Sequence, residues 1–167
     1  MKNSLNLNAV NKLAELDQFW TLFDVYINEL AANASQGDEF DLEYFYSDAH
    51  RGDITFLLQR EKNPIRIHFF EEGEVILGFI MYMTNFDEDN MCYLMEYYIK
   101  PEYRTQGYGR QFYEKSEAHI KDEGALNIEL TPTNDKNAEF WTGLGFVKSD
   151  DRDEDNKFFY RKSLQGE

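Results

Sequence analysis

Leu13, Leu16, Trp20, Phe23, Ile27 and Leu30 recur at spacings of three and four, which places them on one stripe of a helix over about residues 12–33. A polar, glycine-containing stretch from Asn33 to Asp41 follows, and Asp41 to about Gln59 again reads as helical. The period then changes from helical to two. Ile65, Ile67 and Phe69 alternate with Arg66 and His68, and a Glu71–Glu74 turn leads into the apolar run Val75 to Met83, which predicts a hairpin. The acidic segment Asn85 to Asn90 predicts another turn, and Met91 to Ile99 a further strand rich in Tyr and Met. Pro101 stops that strand, because it has no N–H for a ladder. Beyond it, Gly107-Tyr108-Gly109 opens a helix reaching about Asp122, with Tyr108, Phe112 and Ile120 on one face. Asn127 to Leu130 reads as a short buried strand. Asn134 or Asp135 can cap a helix running to about Thr142, which Gly143 to Gly145 ends. Strands around Phe146–Lys148 and Lys157–Lys162, joined by a charged Ser149–Asn156 turn, close the chain. The expected order is two helices, three antiparallel strands, helix, strand, helix and a final hairpin. That order is α+β, not doubly wound.

At 167 residues the chain is long enough to bury one substantial core, so a single domain over 1–167 is expected. Its 14 Phe and 11 Tyr argue against disorder despite a net charge of −15 and a mean hydropathy of −0.67. The charge therefore belongs to a folded surface. With 17 basic against 32 acidic residues, the chain lacks the cation excess that nucleic acid demands. Acidity favours a cationic or neutral small substrate, or serves solubility alone. Cys92 is the only cysteine, so neither an intrachain disulfide nor a Cys-rich zinc site can form, and His50, His68 and His119 show no ligand spacing. No metal is expected. The first residues lack the apolar block of a secretion signal, and no run approaches a membrane span, so a cytoplasmic protein with no membrane partner is expected.

Chemistry concentrates between Tyr97 and Arg110: a strand, a turn, then a glycine-bearing helix opening. The first N–H groups of a helix lack internal acceptors and sit at the positive end of its dipole, so they can hold phosphate oxygens. Glycine at 107 and 109 removes the β-carbons that would keep a pyrophosphate away from the backbone, and Arg104 and Arg110 add charge. Glycines also serve tight turns, so the spacing alone does not decide. The dinucleotide fingerprint is missing, since Phe112 stands where its third glycine would be, and no Gly-Lys-Ser/Thr occurs.

The stretch Ile99-Lys100-Pro101-Glu102-Tyr103-Arg104-Thr105-Gln106-Gly107-Tyr108-Gly109 resembles the acetyl-CoA motif of the GCN5-related N-acetyltransferase (GNAT) family, Arg/Gln-x-x-Gly-x-Gly/Ala after a Val-x-Pro strand end. A second block resembling that family, Asn134 to Trp141 followed by Leu144-Gly145-Phe146, stands at the expected distance. The resemblance runs from about Val75 to Lys162. It implies a GNAT-like acyltransferase fold: a mixed central sheet split by a V-shaped cofactor cleft between Met91–Ile99 and Asn127–Leu130, flanked by helices. It further implies transfer of acetyl from acetyl-CoA to a primary amine of a small molecule or peptide, by direct attack in a ternary complex. Homodimers are common among such proteins.

By the same resemblance, the backbone of Tyr97 and Ile99 should hold the pantetheine arm. Arg104, Thr105, Gln106, Gly107, Tyr108, Gly109 and Arg110 should hold the pyrophosphate, and Asn134, Asn137 and Trp141 of the second block should complete the cofactor site. An alkylammonium keeps its proton near pH 7 and needs a base, for which Glu96 at the end of an apolar strand is the candidate. Its other readings are an exposed strand carboxylate or a substrate-binding anion. The family often uses a tyrosine to protonate the departing thiolate, and Trp141 occupies the matching position; indole cannot be that acid. Tyr98, Tyr108, Tyr113, bulk water or no acid at all stay open. The alternative function is a non-catalytic acyl-CoA-binding or regulatory module. Other features read more plainly: Tyr44, Phe45 and Tyr46 as core or interface rather than an acceptor pocket, Asp150 to Asp155 as a solvated turn, and Cys92 as a buried strand residue.

Overall fold

Ile65–Glu72 (β2) and Val75–Asn85 (β3) form the hairpin that the alternation predicts, with Gly73 at φ +60° turning the chain between them. Met91–Ile99 (β4) lies antiparallel on the free side of β3. These strands sit inside a seven-stranded sheet in a computed structural model that describes residues 4–33 and 41–166. The remaining strands are Leu5–Ala9 (β1), Asn127–Leu130 (β5), Val147–Arg152 (β6) and Phe158–Ser163 (β7), in spatial order β1-β2-β3-β4-β5-β7-β6. Every pairing is antiparallel except β4–β5. A parallel step needs a crossover, and the helix Tyr108–Asp122 supplies it.

Helices cover both faces. On one, Leu13–Ala32 (α1) presents Phe19, Phe23 and Ile27, which pack with Ile54 of the third helix on Ile65, Ile67, Phe69 and Phe79 of the sheet. On the other, Phe112 and Ile120 of Tyr108–Asp122 (α4) and Trp141 of Asp135–Gly143 (α5) pack on Phe70, Ile80, Tyr82 and Ile128. Each fully buried Phe or Ile contributes about 1.5–3 kcal/mol, so the two apolar layers drive the assembly. Leu42–Tyr46 (α2) and Asp48–Gln59 (α3) complete the first layer. Among the described residues no helix is long and apolar enough to cross a membrane.

The structure departs from expectation in three places. Leu5–Ala9 is a strand that the hydrophobic pattern had not marked; it adds to the sheet edge through Leu5↔Glu72 to Ala9↔His68. Asp41–Gln59 is two helices, because Ser47 is extended at ψ 151° and its hydroxyl accepts the N–H of His50 at 3.1 Å to start α3. The first closing strand runs on to Arg152, through residues expected in the turn, and the reversal falls at Asn156, with φ +65°. Within the polar stretch from Asn33 to Asp41, residues 34–40 lie outside the described residues.

β4 contains the irregularity that matters most for the site. Met81 faces Glu96 and Tyr82 faces Leu94, so Met95 is an extra residue. The bulge shifts the alternation by one. Cys92 and Leu94 therefore share the α4 face with Tyr97 and Ile99, while Tyr98, opposite Phe79, packs with the α1 layer. Cys92 is fully buried, as expected, and burial pushes its thiol up to about 12, so it stays protonated and inert.

Candidate active site

β4 and β5 pair over only three positions, Met91↔Asn127, Cys92↔Ile128 and Tyr93↔Glu129, and then diverge. The divergence opens a cleft of about 790 Å³ between the end of β4, the openings of α4 and α5, and the last turns of α1. Its walls include Tyr97, Ile99, Arg104, Thr105, Gly107, Gly109, Arg110, Asn134, Asn137 and Trp141, ten of the residues singled out from the sequence. Gln106 and Tyr108 turn elsewhere. The Gln106 amide donates to the Glu102 carbonyl at 3.0 Å, and the Tyr108 hydroxyl donates to the Glu72 carboxylate at 3.0 Å while its ring stacks on Phe112.

The opening of α4 has the features of an anion cradle. Gly107 is its N-cap at φ +88°, a left-handed conformation that a side chain would strain, and among the described residues no side chain caps the first turn. Those N–H groups thus lack a side-chain acceptor. A β-carbon on Gly109 would lie 3.3 Å from the Phe140 ring, so this glycine lets α4 and α5 approach. Asn134 is the N-cap of α5, and Asn137, in its first turn, reaches back to the segment before it. Asn134 Oδ1 accepts from Asn137 N at 2.8 Å, and Asn137 Oδ1 accepts from Thr133 N at 3.1 Å and from Trp141 Nε1 at 3.2 Å. Their amide N–H groups remain as donors.

Arg104, Arg110 and the unanticipated Lys136 bring three cations to this cleft in a chain of net charge −15. Arg104 already has partners: its Nη atoms grip both oxygens of Glu29 at 2.8 and 2.6 Å, its Nε donates to the Ile99 carbonyl at 2.8 Å, and its guanidinium lies over the Tyr98 ring. Arg110 donates to the Gly143 carbonyl at 3.0 Å, pairs at 3.7 Å with Glu114 one turn along α4, and is exposed. Trp141 is buried, edge-on to Tyr97, Tyr113 and Phe146, and closes the base of the cleft.

Glu96 is absent from the cleft walls and stands directly behind one of them. The hydroxyl of Tyr26, a wall residue on α1, donates a short hydrogen bond to Glu96 Oε2. Burial lifts the Glu96 carboxyl to about 7, against the opposing effect of that hydrogen bond. The Tyr26 hydroxyl is pushed well above its usual value by burial and by the neighbouring carboxylate. Sequence reasoning missed the α1 wall of Tyr26, Glu29, Leu30 and Asn33, although their spacing of three, four and seven from Tyr26 marks one helical line. Tyr44, Phe45 and Tyr46 are not in the walls; Phe45 packs beside Phe23 and His50, and Tyr44 and Tyr46 are partly exposed.

The profile of the acetyltransferase (GNAT) family matches residues 26–146. No match was found among curated proteins. Among solved structures, the PaiA N-acetyltransferase of Thermoplasma acidophilum in complex with coenzyme A is 19% identical, with a TM-score of 0.72 over 96% of this chain and 99% of that one. An aminoglycoside 6′-N-acetyltransferase complexed with coenzyme A is 12% identical, with a TM-score of 0.71 over 98% of each chain. A chimera of the spermidine N-acetyltransferase SpeG from Vibrio cholerae and hSSAT is 16% identical, with a TM-score of 0.67 over 94% of this chain and 92% of that one. These likenesses establish a shared fold.

Proposed function

The chain belongs to the acetyltransferase (GNAT) family, and from that premise we propose that it moves acetyl from acetyl-CoA to a primary amine of a small molecule or peptide, by direct attack within a ternary complex. The observation that carries the reading is the uncapped, glycine-led opening of α4 set beside the gap between β4 and β5. Coenzyme A fits this arrangement. Its diphosphate matches N–H groups that lack a side-chain cap, at a position where φ +88° favours glycine. Arg110 and Lys136 flank the cleft with positive charge, and the unpaired edge of β4 past Tyr93 offers backbone groups to an extended arm. When bound, acetyl-CoA supplies an acetyl group activated as a thioester.

The residues of the chain supply the proton chemistry. Glu96, with a carboxyl near neutrality, is suited to take the proton of an alkylammonium, because a base works best when its pKa lies near the working pH. Tyr26 holds the carboxylate in place through its hydroxyl. A backbone N–H near Ile99 is the donor for the developing charge on the carbonyl oxygen, a contribution of about 2.7–4 kcal/mol where such donors are preorganised.

The test is release of free thiol from acetyl-CoA with a panel of polyamines, aminoglycosides, amino acids and peptide N-termini, alongside calorimetric binding of coenzyme A. Turnover on at least one amine is expected, together with an affinity that falls at least tenfold in Gly107→Val. Binding without turnover on any acceptor favours the non-catalytic module, and unchanged affinity in Gly107→Val removes the cradle assignment.

A further inference from the structure

The cleft divides by element. The openings of α4 and α5 give one half its backbone N–H groups, Arg110 and Lys136, which suit a diphosphate. The other half is walled by the last turns of α1, through Tyr26, Glu29, Leu30 and Asn33, with Met95 of β4 among the lining residues. Glu96 stands behind this second wall, on the Tyr26 hydroxyl. An amine whose nitrogen gives its proton in that direction therefore lays its remaining atoms along α1.

The α1 half is apolar where it can hold those atoms. Leu30 and Met95 sit at the margin of the α1 core, partly buried, and turn their open surface to the cleft. Its polar groups are committed. Glu29 is the one carboxylate in the walls among the described residues, and Arg104 grips both its oxygens at 2.8 and 2.6 Å. That guanidinium is itself fixed by the Ile99 carbonyl at 2.8 Å and lies over the Tyr98 ring. The Asn33 amide donates to the Glu29 carbonyl at 2.9 Å. A second ammonium entering this half gives up its water for a carboxylate that is already neutralised, which is unfavourable. A methylene that leaves water for Leu30 and Met95 is stabilised.

We propose that the acceptor is a monoamine with an apolar body, an alkyl- or arylalkylamine, and that Leu30 and Met95 set this preference. The inference rests on the acetyl-transfer reading above and narrows its substrate. In the transfer the amine nitrogen bonds to the acetyl carbon as the carbon–sulfur bond breaks with its electron pair on sulfur. Of the two protons that the ammonium loses, one ends on that sulfur and the other in solvent. The net charge of −15 draws cations of every kind toward the surface, whereas the α1 wall selects among them by what trails the nitrogen.

A homologous series tests the proposal without altering the protein. With acetyl-CoA saturating, kcat/KM from thiol release should rise about fourfold for each methylene from propylamine through hexylamine. Hexamethylenediamine, which ends in an ammonium where hexylamine ends in a methyl group, should fall at least about tenfold below hexylamine. Leu30→Ala and Met95→Ala should flatten the rise to about twofold per methylene or less. A role in packing alone would lower every member by one factor and leave the slope as it was. A flat series in the parent, a diamine that equals or exceeds hexylamine, or a parental slope in both variants overturns the proposal while leaving acetyl transfer standing. No thiol release with any amine overturns the reading on which the proposal rests.

Discussion

Glu96 is where the properties of a single side chain set the behaviour of the site. Its carboxyl is lifted to about 7 by burial, and the Tyr26 hydroxyl, which binds the ionised form, lowers it from where burial alone would leave it. If Glu96 is the base, kcat/KM rises with pH through about 7. Tyr26→Phe moves that limb to higher pH, Glu96→Gln removes it, and a pH profile for each variant checks both outcomes. The same shift has a stability consequence. A carboxyl whose folded value lies above its ordinary 4.5 favours folding when protonated, so this contribution is complete below about 4.5 and is lost as pH rises through about 7. Glu96→Gln should therefore be more stable than the parent at pH 8, by about 3 kcal/mol, and nearly equal to it at pH 4.5, as read by denaturant unfolding. Glu96 was legible in the sequence because it is a lone acid in the apolar run of β4. Tyr26 was not, because seventy positions separate the two and only folding brings them together. Arg104 was legible as a cation but not as one already gripping Glu29.

Among the elements, the strands around the cleft were legible wherever period-two alternation was long. β2, β3 and β4 fall where the alternation and its turns put them. β1 was missed because five residues, LNLNA, give a weak signal until an edge exists to receive them. The bulge at Met95 could not be read at all, since one extra residue leaves no trace in composition. The opening of α4 was readable from its glycines, and the cap of α5 from Asn134. Gly78 gives this level its test. A β-carbon there would lie 1.8 Å from the Tyr98 carbonyl oxygen, so β3 and β4 can pair beside the site only with glycine at that position. Gly78→Ala should cost about 3 kcal/mol or more and lower the melting temperature by about 6–12 °C. A melting point within 2 °C of the parent would show that the strands part without penalty.

For the molecule as a whole, the distribution of charge matters more than its sum. A surface carrying −15 repels itself, while the cleft gathers Arg104, Arg110 and Lys136. Raising sodium chloride from 0.02 to 0.5 M shortens the Debye length to about 4 Å, so it should raise the melting temperature by relieving the repulsion and weaken coenzyme A binding by screening Arg110 and Lys136. Opposite signs from one titration are the expected outcome, and calorimetry with a thermal melt reads both. Composition had already disclosed the acidity. It could not disclose the local reversal, because Lys136 joins the two arginines only when α5 swings beside α4.

Among the described residues, three residue pairs between β4 and β5, with the Leu126 N–H on the Asn90 carbonyl just ahead of them, form the backbone ladder joining strands β1–β4 to strands β5–β7. Leu5 belongs to the first group and Ser163 to the second, so a pull on the two ends of the chain loads that short seam. The ladder is backed by side-chain packing across the gap, Tyr97 against Phe140 and Trp141, and by α4, whose Phe112, Tyr113 and Ile120 share one core with both groups. The protein is, mechanically, two plates joined by a short seam and a shared backing helix, and a ligand lying along the gap would act as the missing stitches.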